Sequence, residues 1–271
     1  MNVPEKSTGE NIRYSYEATE CEQGRTVDGK IVYNSGKADI LKWGITEIKK
    51  EAYEGNKDIV SVVLPSSVTS IGEWAFYGCS SLTSITMPSS VTSIDSYAFY
   101  GCNSLTSITI PSSVTSIDWS AFRGCSSLKI TVSPENKHYK VIDNNLYTYD
   151  GKTIVKYMPK KNETSFAIPS SVTSIGWGAF GECSDLTSIT IPNSVTRIEF
   201  DAFYDCKKLT SITIPSSVTS IGDCVFSCCN NLKDIYFDGK KAEWDKIKIG
   251  SVNQEIKDAK IHFKTLFGYT K

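Results

Sequence analysis

Cysteine is the first residue in this chain whose type and spacing suggest chemistry. Six of the nine cysteines recur every 23 residues within two blocks, and these are Cys79, Cys102, Cys125, Cys183, Cys206 and Cys229. A catalytic nucleophile is a single residue beside a base, whereas a thiol that recurs six times indicates a structural position. We predict a ladder of buried free thiols, which act as small apolar groups and weak hydrogen-bond donors. Disulfides between neighbouring rungs are the alternative, because stacked repeats bring their Cα atoms into bridging range.

Metal binding finds little support in the sequence. Cys224, Cys228 and Cys229 form a local cluster, but a structural zinc site needs a second pair of ligands at matching spacing, and none is present. The two histidines, His138 and His262, stand outside any metal-binding or triad-like motif. We therefore predict no metal and no cofactor, and we expect both histidines to be surface or cap residues.

Acid–base catalysis is disfavoured for a similar reason. Asp95, Asp118 and Glu199 occupy one position of the repeat, where a carboxylate is expected to accept hydrogen bonds within a turn rather than to form an acid–base pair. The sequence thus predicts no catalytic residue and no enzyme activity.

The charge and hydropathy of the chain exclude two classes of partner. Lysine and arginine number 29 and aspartate and glutamate 30, so no basic field exists to neutralise a nucleic-acid backbone. No run approaches the roughly 18–20 apolar residues that cross a bilayer, so we expect no membrane insertion. The first twenty residues are polar and contain no signal-peptide core, which leaves a cytosolic protein or a removed signal as alternatives.

A 23-residue repeat must position these side chains. It begins at proline and follows the pattern Pro-Ser-Ser-Val-Thr-Ser-Ile, Ala-Phe, Cys, Leu-Thr-Ser-Ile-Thr-Ile, with the prolines at Pro65, Pro88, Pro111, Pro169, Pro192 and Pro215. We number positions from the proline. The β-branched end of each repeat predicts a short strand that the next proline terminates, and Ala-Phe with Gly-Cys predicts a tight helical or 3₁₀ corner. One coil cannot bury its apolar face alone, so the coils must stack.

The fold class is therefore a β-rich repeat solenoid of about seven coils. A degenerate first coil precedes Pro65, and the predicted divisions are an N-terminal segment with a hairpin cap (1–41), repeats 1–4 (42–133), a hairpin-containing interruption (134–168), repeats 5–7 (169–237) and a C-terminal cap (238–271). Asp150-Gly151 between two β-rich runs predicts the hairpin of the interruption. Lys129–Val132 has lost one residue, which is expected to flip the faces of that strand.

Two rows of side chains vary or project outward and are the candidate binding surfaces. Positions 9 and 10 carry a large aromatic residue in five coils, namely Trp74, Tyr97, Trp119, Trp177 and Phe200. These rings could anchor a partner or lie flat and seal the corner. The outward strand positions form a nearly uniform hydroxyl ladder on the predicted concave face, comprising Ser84, Thr86, Ser107, Thr109, Ser188, Thr190, Ser211 and Thr213 and ending in Tyr236.

The pattern of Cys, Leu, Ile, Pro, Val, Ile and Ala-Phe at this spacing closely resembles the BspA-like leucine-rich repeats. The resemblance covers about residues 42–237 and extends to the interrupting segment Tyr139–Tyr147 and to Lys241–Trp244. It implies a leucine-rich repeat protein that is secreted or located at the cell surface of a host-associated bacterium or protozoan. It also implies that such a protein adheres to host proteins or to other cells. It supplies no catalytic residues.

Two functions remain open from the sequence. One is a non-enzymatic binding or adhesion protein that recognises a host protein or a glycan through the aromatic row, the concave face or both. The other is a structural spacer of a larger surface protein that has no ligand of its own, as the uniform serine and threonine surface would suit.

Overall fold

Parallel strands stacked at the repeat spacing build the molecule. The computed structural model describes residues 45–265 apart from positions 126 and 161, residues 268–269, and four short strands nearer the N-terminus. It divides into two compact units, residues 1–144 and 145–271. Each is a β-solenoid, with about nine turns in total where seven coils are predicted. The two further turns come from the predicted interruption and the predicted cap, since both regions pair with repeat strands.

Two parallel sheets, each with one strand per coil, form the body of the first unit. In both, residues 23 positions apart face each other, as the pairs of Ser61 with Ser84 and Ser70 with Ser93 show, except at the last long strand, where the offset is 22. The long-strand sheet consists of Ser61–Val63, Ser84–Thr86, Ser107–Ile110 and Lys129–Val132. The short-strand sheet consists of Glu47–Ile48, Ser70–Ile71, Ser93–Ile94 and Ser116–Ile117, and Tyr139–Ile142 is the last strand of the unit.

Four strands precede the coils of the first unit. Thr26–Val27 pairs antiparallel with Lys30–Ile31, within the segment where a hairpin cap is predicted. Tyr14–Glu17 pairs antiparallel with Lys37–Ile40. The start of the first predicted coil, residues 42–44, lies outside the described residues, as does Cys21.

The second unit begins with the predicted hairpin. Asn145–Thr148 pairs antiparallel with Thr153–Lys156, and the amide of Gly151 donates to the carbonyl of Thr148 at 2.8 Å. A separate sheet of short strands in this unit runs in parallel from Thr153–Lys156 through Ser174–Ile175, Arg197–Ile198, Ser220–Ile221 and Lys248–Ile249. The longer strands form two sheets. In the first, Ser165–Ala167 pairs with Ser188–Thr190. The second consists, in order, of Ser211–Pro215, Asp234–Asp238, Lys260–Thr265 and the two-residue strand Gly268–Tyr269.

The C-terminal cap is itself a coil. Its strands pair in parallel with the last repeat in both sheets, at Ser220 with Lys248 and at Asp234 with Lys260. The predicted helix around Trp244 is short, Lys241–Trp244, and a second helix spans Gln254–Asp258. The offsets of 28 and 26 residues explain why a search for a 23-residue period stops before this coil.

The corner of each coil is a chain of single turns and not a continuous helix. In the second full coil the amides of Ala98, Tyr100 and Cys102 donate to carbonyls three residues earlier, at 3.0–3.2 Å. The amides between them, from Phe99 and Gly101, donate instead to the next coil, at 2.8 and 3.1 Å. Because alternate amides leave the coil, no helical run can build up, and each corner becomes bonded to its neighbour.

Aromatic rings fill the interior beside each corner. Tyr53, Phe76, Phe99 and Phe122 stack in the first unit with ring centroids 5.2–5.7 Å apart. In the second unit Tyr157, Phe180, Phe203 and Phe226 follow one another at 5.0–5.4 Å. All eight side chains are buried, so each ring is covered by the rings of the neighbouring coils.

The missing residue in the last long strand of the first unit does not flip that strand. Ile108 faces Ile130, and both are buried, so the predicted exchange of faces is wrong. The deletion falls between Leu128 and Lys129, ahead of the first pair of the strand, Ser107 with Lys129. The core selects the register because exposing Ile130 would cost more than tightening the turn that precedes it.

The predicted ladder of thiols is present. The six repeat cysteines are free and buried, and five of them donate to a carbonyl of the preceding coil, as Cys102 does to Phe76 at 3.1 Å. Cys183 departs from this pattern because the coil before it is the rebuilt one, and its nearest acceptor, the Gly181 carbonyl, lies 3.9 Å away. Burial raises the pKa of Cys102, and it raises the pKa of Cys183 to about 11.

Alkylation of the folded protein should separate two classes of thiol. At pH 8 we expect N-ethylmaleimide to modify the half-exposed Cys224 and Cys228 and to leave the six ladder cysteines unmodified, as measured by peptide mass spectrometry. Burial raises the pKa of Cys224, so its labelling should accelerate as the pH rises further. A ladder cysteine that reacts as fast as Cys224, or a disulfide between rungs, would contradict this assignment.

Candidate functional site

Positions 9 and 10 lie at the corner between the short strand and the buried Ala-Phe pair. Position 10 has a left-handed backbone in most coils, with φ of 58° at Trp74 and 53° at Tyr97. In the second unit this conformation falls on Gly178 and Asp201, and the aromatic ring moves to position 9. A bulky residue in the left-handed region costs about 1–2 kcal/mol. Trp74 and Tyr97 are therefore held at the corner against their own backbone preference.

Five rings from three successive coils pack together at the corner of the first unit. We call Trp74, Tyr77, Tyr97, Tyr100 and Trp119 the aromatic corner. Trp74, Tyr97 and Trp119 meet edge to face at 6.1–6.4 Å. Tyr77 and Tyr100 stack at 4.9 Å with planes 9° apart. All five residues are half-buried, so the cluster is a surface feature that seals its corner and presents ring atoms to solvent.

Sequence reasoning found the three rings at positions 9 and 10 but missed the two tyrosines. Tyr77 and Tyr100 stand at position 13, three residues beyond Trp74 and Tyr97, with ring centroids 6.1 and 5.8 Å from them. Side chains that are three residues apart lie on the same side of a tight turn. The repetition of tyrosine at position 13 in adjacent coils was the signal available in the sequence.

Charged groups border the aromatic corner. The Lys50 ammonium lies 5.0 Å from the centroid of the Trp74 ring and 2.9 Å from the Glu73 carboxylate. The hydrogen bond to Glu73 raises the pKa of Lys50. The pKa of Asp95 is raised, first by burial and then by the negative charges of Asp118, Glu73 and Glu47. Four carboxylates therefore share one electrostatic environment at this corner.

The corner of the second unit has a different character. Trp177 is 53% exposed, and its ring lies 6.1 Å from that of Phe200. Glu199 is paired with Arg197 at 3.2 Å. In the cap coil, Val252 combines a left-handed backbone, with φ of 54°, and 68% exposure. The aromatic row is thus a packed cluster in the first unit and a pair of rings in the second.

The long strands carry the predicted hydroxyl ladder on their outward face. In Ser84–Thr86 the two hydroxyl residues are exposed and Ile85 between them is buried, and Ser188–Thr190 repeats this pattern. Thr109 is also exposed, and its hydroxyl meets that of Thr131 at 2.8 Å. The exposed members are Ser84, Thr86, Ser107, Thr109, Ser188, Thr190 and Thr213, whereas Ser211 and Tyr236 are half-buried.

In the second unit, a cluster of aromatic side chains with one carboxylate lies at the end of this face. His262 is buried and stacks on Tyr236 with centroids 4.7 Å apart, and its Nε2 atom lies 2.7 Å from an Asp234 oxygen. Tyr269 meets Tyr236 edge to face at 5.1 Å. The 26-residue offset of this coil hid the pairing of Tyr236 with His262 from the sequence analysis. His138, in contrast, is exposed.

The repeats match a known family. A family model of the BspA type leucine rich repeat region matches six copies, over residues 46–157 and 152–252. The chain belongs to the BspA-type leucine-rich repeat family. Leucine-rich repeat domains of this kind generally mediate protein binding.

The chain is also similar to solved structures of leucine-rich repeat proteins. A leucine-rich repeat protein of Eubacterium ventriosum is 33% identical, covers 73% of this chain and 59% of its own, and superposes with a TM-score of 0.62. A leucine rich cell surface protein of Faecalibacterium prausnitzii is 31% identical over 75% of this chain and 66% of its own, with a TM-score of 0.49.

The pneumococcal vaccine antigen PcpA shares the fold, with a TM-score of 0.61 and 23% identity over 81% of this chain and 66% of its own. This BspA-type chain therefore spans between about three fifths and two thirds of the length of these structures. A search of curated proteins finds no match.

Two further features bear on the chemistry of this BspA-type protein. Within the described residues, no group of three or more histidine, cysteine, aspartate and glutamate side chains has a metal-binding arrangement. No helix in the same part of the chain is long and apolar enough to cross a membrane.

Relieving the strain at Val252 should stabilise the cap coil. Asparagine tolerates the left-handed region that valine disfavours, and the exposed Val252 side chain gives up few contacts, so Val252→Asn should raise the free energy of unfolding by about 1 kcal/mol in urea titrations. The matched control is Ile249→Asn, at an exposed residue with strand backbone in the same coil, which should not stabilise. Equal effects of the two substitutions would show that the backbone conformation is not the cause.

Proposed function

We propose that this BspA-type protein is a non-enzymatic binding protein of the cell surface or a secreted one, and that the aromatic row contacts its macromolecular partner. A host protein or a glycan is the partner expected. The observation that carries the proposal is the aromatic corner: half-exposed rings that three successive coils hold together, two of them in an unfavourable backbone conformation.

The energetics of the corner support a role in recognition. A left-handed backbone at Trp74 and at Tyr97 costs about 1–2 kcal/mol each, and glycine or asparagine would close the turn at lower cost. Gly178 occupies the same position in the second unit, so the turn itself does not need a ring. Tryptophan and tyrosine supply large, rigid contact areas and are enriched among the residues that dominate binding energy. Packing at the corner accounts for part of this arrangement, and recognition accounts for large rings at a position where the turn does not require them.

The hydroxyl ladder is the second candidate contact surface. Seven of its nine residues are exposed, and they are regularly spaced, which suits a repetitive ligand contacted by many weak hydrogen bonds. Hydroxyl groups that are well solvated gain little by exchanging water for a partner. We therefore assign this face a supporting role beside the aromatic row.

A structural spacer is the alternative function. The specific observation in its favour is the uniformity of the ladder, because a surface of serine and threonine promotes solubility without specifying a partner. A spacer would have no need of strained aromatic residues at its corner. The binding function accounts for both surfaces, and the spacer function accounts for one.

Non-enzymatic action and surface location belong to the same proposal. The family and fold are those of leucine-rich repeat proteins, which are typically non-catalytic. The cell-surface or secreted location rests on the family resemblance. Labelling of intact cells with an antibody against the chain tests it, and a signal that appears only after lysis would overturn the location without touching the binding surface.

Surface binding to immobilised matrix proteins, mucins and glycans tests the proposed function. We expect saturable binding to at least one panel member, and at least a tenfold loss of affinity in a variant of the first-unit rings, Trp74→Ser, Tyr97→Ser and Trp119→Ser. A second variant, Trp177→Ser with Phe200→Ser, locates the contribution of the second unit. A third variant, with Ser84, Thr86, Ser107 and Thr109 replaced by alanine, measures the contribution of the hydroxyl ladder, and we expect a smaller loss of affinity from it than from the first-unit rings. Thermal unfolding verifies that each variant is folded.

The outcomes separate the functions. Binding that is unchanged in both folded ring variants would overturn the aromatic site. Binding that is lost only in the alanine variant of the hydroxyl ladder would show that the ladder, and not the aromatic row, is the main contact surface. No binding to any panel member would favour the spacer.

A further inference from the structure

The aromatic corner of the first unit combines ring faces with carboxylates, and the chain itself shows which chemistry this combination accepts. Lys50 places its ammonium group 5.0 Å from the Trp74 ring centroid and 2.9 Å from the Glu73 carboxylate, with Glu51 at 3.8 Å. A cation over an aromatic face with a carboxylate beside it is a favourable arrangement for lysine and arginine. The first ring and carboxylate of the aromatic corner, Trp74 and Glu73, are thus already in contact with a cation of the same chain.

The next two coils repeat the ring and the carboxylate. Tyr97 follows Asp95 by two residues, and Trp119 directly follows Asp118. Both aspartates stand at position 8, one coil apart, and their amides donate to the preceding coil at 2.9 and 2.8 Å, which fixes them along one line. The ring centroids follow the same line at 6.1 Å. The corner is therefore a row of aromatic and acidic groups at the spacing of the coils.

Negative charge accumulates along this row. The Asp95 residue is largely exposed, but partial desolvation of its carboxyl group raises its pKa, and the negative charges of Asp118, Glu73 and Glu47 raise this pKa further. Mutual repulsion of this kind is relieved by a cation from a partner. The chain as a whole is nearly neutral, at −1, so the acidic character is local to the corner and not a property of the entire surface.

We propose that the aromatic corner of the first unit binds a lysine- or arginine-rich segment of a partner protein, and that Lys50 occupies the first position of this site as an internal competitor. The cationic side chains of the segment lie over the faces of Tyr97 and Trp119 and pair with Asp95 and Asp118. This inference rests on the proposed function and specifies the partner chemistry of the same rings.

The second unit supplies a matched comparison. Glu199 stands at position 8, as Asp95 and Asp118 do, but it is already paired with Arg197 at 3.2 Å. Gly176 and Gly178 flank the exposed Trp177. Trp177 therefore has no carboxylate at position 8 beside it, and the carboxylate at position 8 beside Phe200 is already paired with a cation, so a variant of Glu199 serves as the control for the charge requirement.

Fluorescence anisotropy with a fluorescein-labelled octalysine peptide and the full chain tests the proposal. We expect saturable binding at low ionic strength that weakens as salt is added. Asp95→Asn with Asp118→Asn should reduce the affinity by about tenfold, since the charge-assisted contacts are lost. An amide oxygen at position 118 can still accept the hydrogen bonds that the Ser120 amide and hydroxyl donate to Asp118. Glu199→Gln should leave the affinity unchanged.

Lys50→Gln provides the most discriminating variant. Removing the internal cation frees the Trp74 ring and Glu73, so the affinity for octalysine should rise by about two- to fivefold, the equivalent of one exposed cation–π contact. A purely structural Lys50 predicts no change or a loss. Thermal unfolding of each variant separates a folding defect from a change in the site.

The results distinguish this inference from the proposed function. If octalysine does not bind, or binds equally well to the Asp95→Asn, Asp118→Asn variant, the basic-segment site is overturned. If the variant of the first-unit rings nevertheless binds one of the immobilised matrix proteins, mucins or glycans more weakly than the unaltered chain does, the proposed function stands with another class of partner. Tighter binding of a neutral oligosaccharide than of octalysine would assign the corner to a glycan and would also overturn the inference.

Discussion

The satisfaction of buried backbone groups by the neighbouring coil is the constraint on which the rest of this structure depends. At each corner, alternate amides close a turn within the coil and the amides between them donate to the next coil, as Phe99 donates to Ala121 at 2.8 Å. The phenylalanine stack and the cysteine ladder lie directly beneath these bonds. A coil that lacked its neighbour would leave both the amides and the rings exposed, so each coil is stable only as part of a stack.

The same constraint determines which residues are free to serve recognition. Positions that face the core must repeat in every coil, whereas positions 9, 10 and 13 lie outside the phenylalanine stack and can vary. A side chain at one of these positions recurs beside its counterpart in the next coil, so neighbouring substitutions build a continuous surface. The first unit places rings at these positions with carboxylates beside them at position 8, and the second unit places the exposed Trp177, Gly178 and Phe200 there.

The sequence predicted the features that follow from a strict period. The coils, the buried cysteines, the hairpin at Asp150-Gly151 and the outward hydroxyl residues all derive from spacing and side-chain type. It could not predict the features in which the period changes. The cap coil pairs at offsets of 28 and 26 residues, so the stacking of Tyr236 on His262 was invisible, and the deletion before Ile130 was absorbed in a turn rather than in the strand. The grouping of Lys50 with Trp74 and Glu73 depends on side-chain geometry that a repeat alignment does not contain.

Native-state hydrogen exchange of the Phe76 and Phe99 amides tests the stacking account most directly. Both amides donate to the following coil at 2.8 Å within the first unit. The account predicts that they exchange through unfolding of the whole unit, with opening free energies within about 1 kcal/mol of each other and with the denaturant dependence of that unfolding. Exchange of either amide through a small, denaturant-independent opening would show that a coil can open alone, and it would contradict the account.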